Sequence, residues 1–119
     1  MALLRREDIA AERVSLSSRH TLTFPELTID GRSQQAFQNG TALALTRIEF
    51  NMLLLLASNP GVTLSKEDLF SAVWGRDSAD TLKVVANTVS NLRRKLGGSQ
   101  TYIRTVRGGY VFSAVSATA

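Results

Sequence analysis

The chain has 119 residues, of which 44% are hydrophobic and 20% charged, enough for one domain with a modest core and too few for two. It has no cysteine, which excludes disulfides and thiolate metal sites, and its longest apolar run, Met52–Ala57, is far too short to span a membrane. The start of the chain lacks the apolar region of a signal peptide, so we expect a cytoplasmic protein.

Positive charge is concentrated in the last third of the chain. Residues 1–79 carry eight Lys/Arg and nine Asp/Glu, whereas residues 80–119 carry six Lys/Arg and one Asp. The formal net charge of +4 therefore comes from the C-terminal end. Such a distribution attracts a polyanion such as nucleic acid, although a solvated basic surface would have the same composition.

The first half of the chain predicts a small antiparallel sheet. A helical stretch at 2–15 and a linker at 15–20 come first. Four short β-prone runs follow: Thr21–Phe24, Leu27–Asp30, Gln34–Gln38 and Thr41–Leu45. Pro25 separates the first two runs. Asn39 and Gly40 separate the last two, and this pair suits a type I′ turn because both of its central residues need positive φ. We therefore expect three or four strands.

Two helices are predicted next, each by a capping box. In Thr46–Glu49 the hydroxyl can accept from the backbone three residues on, while the carboxylate reaches back. That helix continues through Phe50–Ala57 and stops before Pro60, which lacks a backbone donor. Ser65–Asp68 repeats the capping pattern with a shorter acid, and the second helix ends near Trp74.

A third helix is predicted over residues 81–96, with Asp80 as its N-cap. Its apolar residues recur at spacings of three and four: Leu82, Val85, Val89, Leu92 and Leu96. Polar residues occupy the opposite face and its flanks: Lys83, Asn87, Thr88, Ser90, Asn91, Arg93, Arg94 and Lys95. No acid follows Asp80 on this helix, and amides, hydroxyls and guanidinium groups are what base edges require. The alternative is an ordinary solvated helix face that binds no partner.

The end of the chain predicts a β-hairpin. Two β-rich runs, Tyr102–Val106 and Tyr110–Val115, flank the tripeptide Arg107-Gly108-Gly109. Glycines make the tip thin, so that Arg107 could enter a minor groove, where narrow A·T stretches concentrate negative potential. The alternative is a glycine-rich turn with an arginine beside it.

The motifs in this order resemble the OmpR/PhoB family of bacterial winged-helix regulators. The resemblance rests on Leu45–Phe50, Asn59–Val62, Val73–Gly75, Val89–Leu96 and Ile103–Phe112. It runs from about Thr21 to Ala114. It implies an α+β winged helix-turn-helix fold, with a four-stranded N-terminal antiparallel sheet, three helices, a short crossing strand and a C-terminal hairpin wing. The implied function is sequence-specific binding of double-stranded DNA and transcription regulation, without an enzymatic activity.

The resemblance also implies a set of DNA-binding residues. We expect the helix at 81–96 in the major groove and the wing at 102–113 in the minor groove. The candidate residues are Lys83, Asn87, Thr88, Asn91, Arg93, Arg94, Thr105 and Arg107. The family often has Asp where this chain has Ala86, His at Thr88 and Arg or Lys at Asn91, and its wing is usually one residue longer. These departures affect the target sequence rather than the fold.

The same resemblance suggests a division of the chain. Ala2–Arg6 resembles the end of a receiver domain, so we expect residues 1–20 to be a linker with a receiver remnant, 21–115 the DNA-binding domain and 116–119 a disordered tail. Residues 75–80 resemble a family segment that contacts RNA polymerase, with a plain connector as the alternative. We expect a dimer on DNA and no cofactor or metal.

The alternatives to DNA binding are a protein-docking module and an enzyme. A winged-helix module that docks a protein would have the same fold, but the acid-free helix face favours DNA. An enzyme is disfavoured because the one histidine, His20, lies in the predicted linker, and because there is no cysteine nucleophile or glycine-rich phosphate loop.

Overall fold

The computed structural model describes residues 21–75, 81–97 and 102–113. The first strands are β1 (Thr21–Phe24), β2 (Leu27–Asp30), β3 (Gln35–Gln38) and β4 (Thr41–Ala42). The described helices are α1 (Arg47–Ala57), α2 (Lys66–Val73) and α3 (Lys83–Leu96), followed by strands β5 (Ile103–Val106) and β6 (Gly109–Phe112). The predicted stretches at 2–15, 15–20 and 116–119, and most of loop 75–80, lie outside the described residues.

The N-terminal strands form an antiparallel sheet in the order β1-β2-β3-β4, which confirms the four-stranded arrangement. The β1–β2 turn contains Pro25 and Glu26, and Glu26 has a φ of 67°. Asn39 and Gly40 both have positive φ, 51° and 85°, as the predicted turn requires. Leu27 and Ile29 of strand β2 are buried, so one face of the sheet contributes to the same hydrophobic core as the helices.

Both predicted capping boxes are present. The Thr46 hydroxyl accepts from the Glu49 N–H at 3.1 Å, and Glu49 Oε1 accepts from the Thr46 N–H at 2.9 Å. Ser65 and Asp68 make the same pair of bonds at 3.0 and 3.2 Å. Helix α1 is buried along most of its length because α2, α3 and β6 pack around it.

Helix α3 begins two residues later than predicted. Leu82 holds its N-cap position, without a side-chain cap, instead of the predicted Asp80, which lies outside the described residues. Leu82 itself is 37% exposed, so the buried stripe begins one turn later. The other four stripe residues are buried as predicted: Val85, Val89, Leu92 and Leu96. The stripe holds α3 against α1 and leaves its other face toward solvent.

The C-terminal hairpin has a shorter turn than predicted. Gly109 is the first residue of β6, so the turn consists of Arg107 and Gly108. Leu64 pairs with Tyr110 through backbone hydrogen bonds of 2.8 and 3.0 Å, which places a one-residue crossing strand beside the hairpin. A Cβ on Gly109 would lie 2.1 Å from the Leu64 carbonyl oxygen, and this close approach explains the glycine.

Aromatic side chains join the hairpin to the sheet. The rings of Tyr102 and Phe112 stack at 5.2 Å, and Phe24 packs against Phe112 at 4.8 Å. The Tyr102 hydroxyl donates to the carbonyl oxygen of Pro25. Among the described residues, no helix combines the length and apolar character needed to cross a membrane.

Candidate nucleic-acid interface

The outward face of α3 is polar, open and free of acids over the described residues 81–97. Lys83, Asn87, Ser90 and Arg94 are exposed, while Thr88 and Asn91 are half-buried. Amphipathic spacing accounts for this arrangement, because the apolar residues three and four apart occupy the opposite face. The structure therefore places five of the predicted residues on one solvent-accessible helix surface: Lys83, Asn87, Thr88, Asn91 and Arg94.

Two of these residues are hydrogen-bonded to each other. Arg94 Nη2 donates to Asn91 Oδ1 at 2.8 Å, across one turn of the helix. The bond lies on the exposed surface, where it holds a long cationic side chain against a short amide. Periodicity could place the two residues on one face, but it could not specify which of their donors and acceptors would be occupied.

Arg93 is directed toward the hairpin rather than outward. Its Nε donates to the Ile103 carbonyl oxygen at 3.0 Å, and its Nη2 donates to Thr105 Oγ1 at 2.7 Å. The guanidinium carbon also lies 5.9 Å from the centre of the Tyr110 ring. Arg93 and Thr105, predicted separately as site residues, are thus brought together where α3 meets β5.

Arg107 occupies the turn of the hairpin and is exposed. It follows Thr105 by two residues, about 7 Å along an extended strand. Because Thr105 is bonded to Arg93, the turn is connected to α3 by a short, hydrogen-bonded route. Glycine at position 108 suits the second turn residue, since its φ is +94°. The hairpin tip and the C-terminal half of α3 therefore belong to one connected surface.

Lys95 does not contribute a free cation to this surface. Its ammonium donates to Glu49 Oε1 at 2.7 Å and to the Ala44 carbonyl oxygen at 2.9 Å. Burial raises the pKa of the Glu49 carboxyl, but the Lys95 bond and the Thr46 N–H outweigh burial, and the pKa lies below its ordinary value. The helical period places Lys95 on the flank of the polar face but does not reveal this ion pair, because Glu49 is 46 residues away in the chain.

The arrangement of sheet, three helices and winged hairpin is that of the OmpR/PhoB type of winged-helix domain. The chain belongs to the family described as "Transcriptional regulatory protein, C terminal", whose sequence pattern matches residues 40–112. This match spans the helices and the hairpin that form the candidate surface.

Named relatives and solved structures agree with this assignment. The chain is 40% identical over 113 residues to the transcriptional regulatory protein PrrA of Mycobacterium tuberculosis, covering 92% of this chain and 47% of PrrA. It is similar to the DNA-binding domain of CpxR from E. coli (TM-score 0.70, 35% identity, 80% of this chain and 98% of that one). It is also similar to the Klebsiella pneumoniae RstA DNA-binding domain in complex with the RstA box (TM-score 0.70, 33% identity, 79% and 97%). The chain thus spans about half of PrrA, and nearly all of each isolated domain.

Proposed function

We propose that this domain binds double-stranded DNA sequence-specifically and regulates transcription, with α3 in the major groove and the hairpin wing in the minor groove. One observation supports this most directly: helix α3, whose exposed face carries no acid, is hydrogen-bonded through Arg93 and Thr105 to the strand that leads to Arg107. A helix fits the width of the major groove, and an adjoining thin turn can follow the backbone into the next groove.

The proposed contacts divide into positioning and base reading. Lys83 at the start of α3, and the joined pair Arg93 and Thr105, are suited to phosphates because they carry charge or hydrogen-bond donors at the edge of the surface. Base reading is assigned to the centre of the exposed face, which carries Asn87, Thr88, Asn91 and Arg94. The wing residue Arg107 would respond to minor-groove width rather than to base identity.

A second copy is part of the proposal. A single domain of this size covers one half-site, so we expect a dimer on DNA with paired or tandem half-sites about one helical turn apart. A contact of loop 75–80 with RNA polymerase remains a prediction, since most of that loop lies outside the described residues.

Salt dependence of binding to duplex DNA provides the test. A domain that neutralises three to five phosphates should lose roughly 40- to 500-fold in affinity between 50 and 200 mM salt, because bound counterions are released. Filter binding against a duplex pool at these concentrations measures the slope directly. If no duplex binds in a salt-sensitive way, the domain is better described as a protein-docking module.

Matched variants separate the two kinds of contact. Lys83→Ala should weaken binding to all duplexes alike and reduce the slope of log affinity against log salt concentration by about one unit. Asn91→Ala should instead relax the sequence preference. Arg32→Ala removes the same kind of charge from the exposed turn between β2 and β3, and it should leave the slope unchanged. Equal behaviour of the Lys83 and Asn91 variants across a panel of sites would contradict the assignment.

A further inference from the structure

The hydrogen bond between Asn91 and Arg94 limits what these two residues can offer a base. An asparagine amide ordinarily presents one acceptor and two donors side by side, which is the complement of the adenine edge. Here Oδ1 of Asn91 accepts from Arg94 at 2.8 Å. One of the two lone pairs of that oxygen is thereby occupied, and a base amino group approaching the other would lie beside a cationic donor. The Asn91 oxygen is therefore a poorer acceptor for an adenine amino group than it would be without this bond.

Arg94 keeps a complete pair of donors despite this bond. A guanidinium has five N–H groups, and Nη2 contributes one of its two to Asn91. Its second N–H points along the other edge of the guanidinium, beside a donor of a neighbouring nitrogen. One two-donor fork thus remains for a base, and the side chain is already held in one orientation on the exposed surface.

In the major groove, guanine is the base that presents two adjacent acceptors, N7 and O6. Adenine pairs one acceptor with an amino donor, cytosine presents an amino donor, and thymine offers a single acceptor. We propose that Arg94, held in place by Asn91, presents a two-donor fork that selects guanine at one position of each half-site. Arg94 makes the base contact, and Asn91 acts chiefly as the residue that positions it. This inference rests on the proposed function and specifies part of its target.

Arg94 is the guanidinium that remains directed outward near the C-terminal end of α3. Arg93 is bonded to Thr105, and Lys95 is bonded to Glu49. The short acceptor Asn91 orients the remaining cation across one turn. We therefore expect few phosphate contacts from this part of the helix and a preference for one base.

The experiment uses the full 119-residue chain and duplexes selected from a pool with a random central segment. Each guanine of the selected duplex is then replaced, one at a time, by 7-deazaguanine, which keeps base pairing and O6 but lacks the N7 acceptor. At one guanine of each half-site we expect the affinity to fall by at least about fivefold, since a good bidentate contact is worth about 5- to 150-fold. Arg94→Ala should abolish this penalty.

Variants at Asn91 test the positioning role. Asn91→Asp keeps an oxygen that accepts from Arg94, so the 7-deazaguanine penalty should persist, whereas Asn91→Leu removes the acceptor and should reduce the penalty to about twofold or less. Asn87→Asp is the matched control, because it makes the same charge change one turn earlier on the same exposed face. It should weaken binding without altering the penalty at that guanine. Thermal unfolding midpoints of all variants verify that each is folded.

The outcomes distinguish this inference from the proposed function. If wild-type protein binds DNA but selects no guanine with an N7-dependent contribution, guanine selection by the Arg94 fork is wrong while DNA binding stands. If the penalty survives in Asn91→Leu, Arg94 reads guanine without help and the positioning role is wrong. If no duplex is bound even at low salt, the proposed function and this inference both fail.

Discussion

The ion pair between Glu49 and Lys95 joins the first turn of α1 to the last turn of α3, so we expect its loss to weaken the attachment of α3 to the core. Glu49 is only 5% exposed, and its Oε1 accepts from the Lys95 ammonium at 2.7 Å and from the Thr46 N–H at 2.9 Å. Glu49→Gln keeps an oxygen for the Thr46 N–H but removes the charge. Lys95→Met keeps the apolar stem but removes the ammonium.

The expected magnitude follows from the burial of the two groups. A hydrogen bond to a charged partner contributes about 1.5–3 kcal/mol. The Lys95 side chain is 34% exposed, so water screens part of the attraction and we expect a coupling free energy of about 1–2 kcal/mol. Glu49→Ala should cost about 2–3 kcal/mol, because the capping box is lost as well.

The coupling free energy comes from a double-mutant cycle. Urea unfolding is measured for the wild type, Glu49→Gln, Lys95→Met and the double variant that combines them. A value below about 0.5 kcal/mol would show that solvent screening, rather than the geometry of the pair, governs this contact. Lys95→Met should also leave DNA contacts on the exposed face of α3 in place, so its affinity loss should be smaller than that of Lys83→Ala.

The same pair predicts the response of the domain to acid. The pKa of Glu49 is held below its ordinary value of 4.5, so the folded state favours the carboxylate. Its stabilising contribution is therefore complete above about pH 4.5 and is lost as the pH falls through the lower folded-state pKa. Glu49→Gln should flatten the fall in free energy of unfolding between about pH 5 and pH 3. Equal slopes for the wild type and this variant would contradict the assigned cause.

Two further changes test the hairpin. Gly109→Ala should destabilise the domain by at least about 2 kcal/mol, because its Cβ would collide with the Leu64 carbonyl oxygen, whereas Gly108→Ala meets open space and should cost only about 1–2 kcal/mol for its positive φ. Equal urea unfolding midpoints for the Gly109→Ala and Gly108→Ala variants would contradict a collision at position 109. Thr105→Val removes the acceptor for Arg93 at nearly constant volume, and it should raise hydrogen exchange of the wing amides while lowering stability by about 1 kcal/mol. Unchanged exchange would show that other contacts hold the wing.

The elements could be predicted where their signals are local. The capping boxes at Thr46 and Ser65 and the Asn39-Gly40 turn depend on residues at most three positions apart, and the structure has all of them. The start of α3 was less well predicted. Asp80 is a favourable cap by residue type, yet Leu82 holds the N-cap position, because residue type alone does not specify a helix end to better than one or two positions.

Sequence alone determined which face of α3 is apolar and which is polar, since a period of 3.6 residues assigns every side chain to a side of the helix. Which polar groups remain available on that face depends on contacts made after folding. Arg93 is bonded to Thr105 twelve positions away, and Lys95 to Glu49 forty-six positions away. Such pairings depend on how α3 packs against α1 and β5, and no short-range pattern encodes the distance between two side chains that meet only after folding.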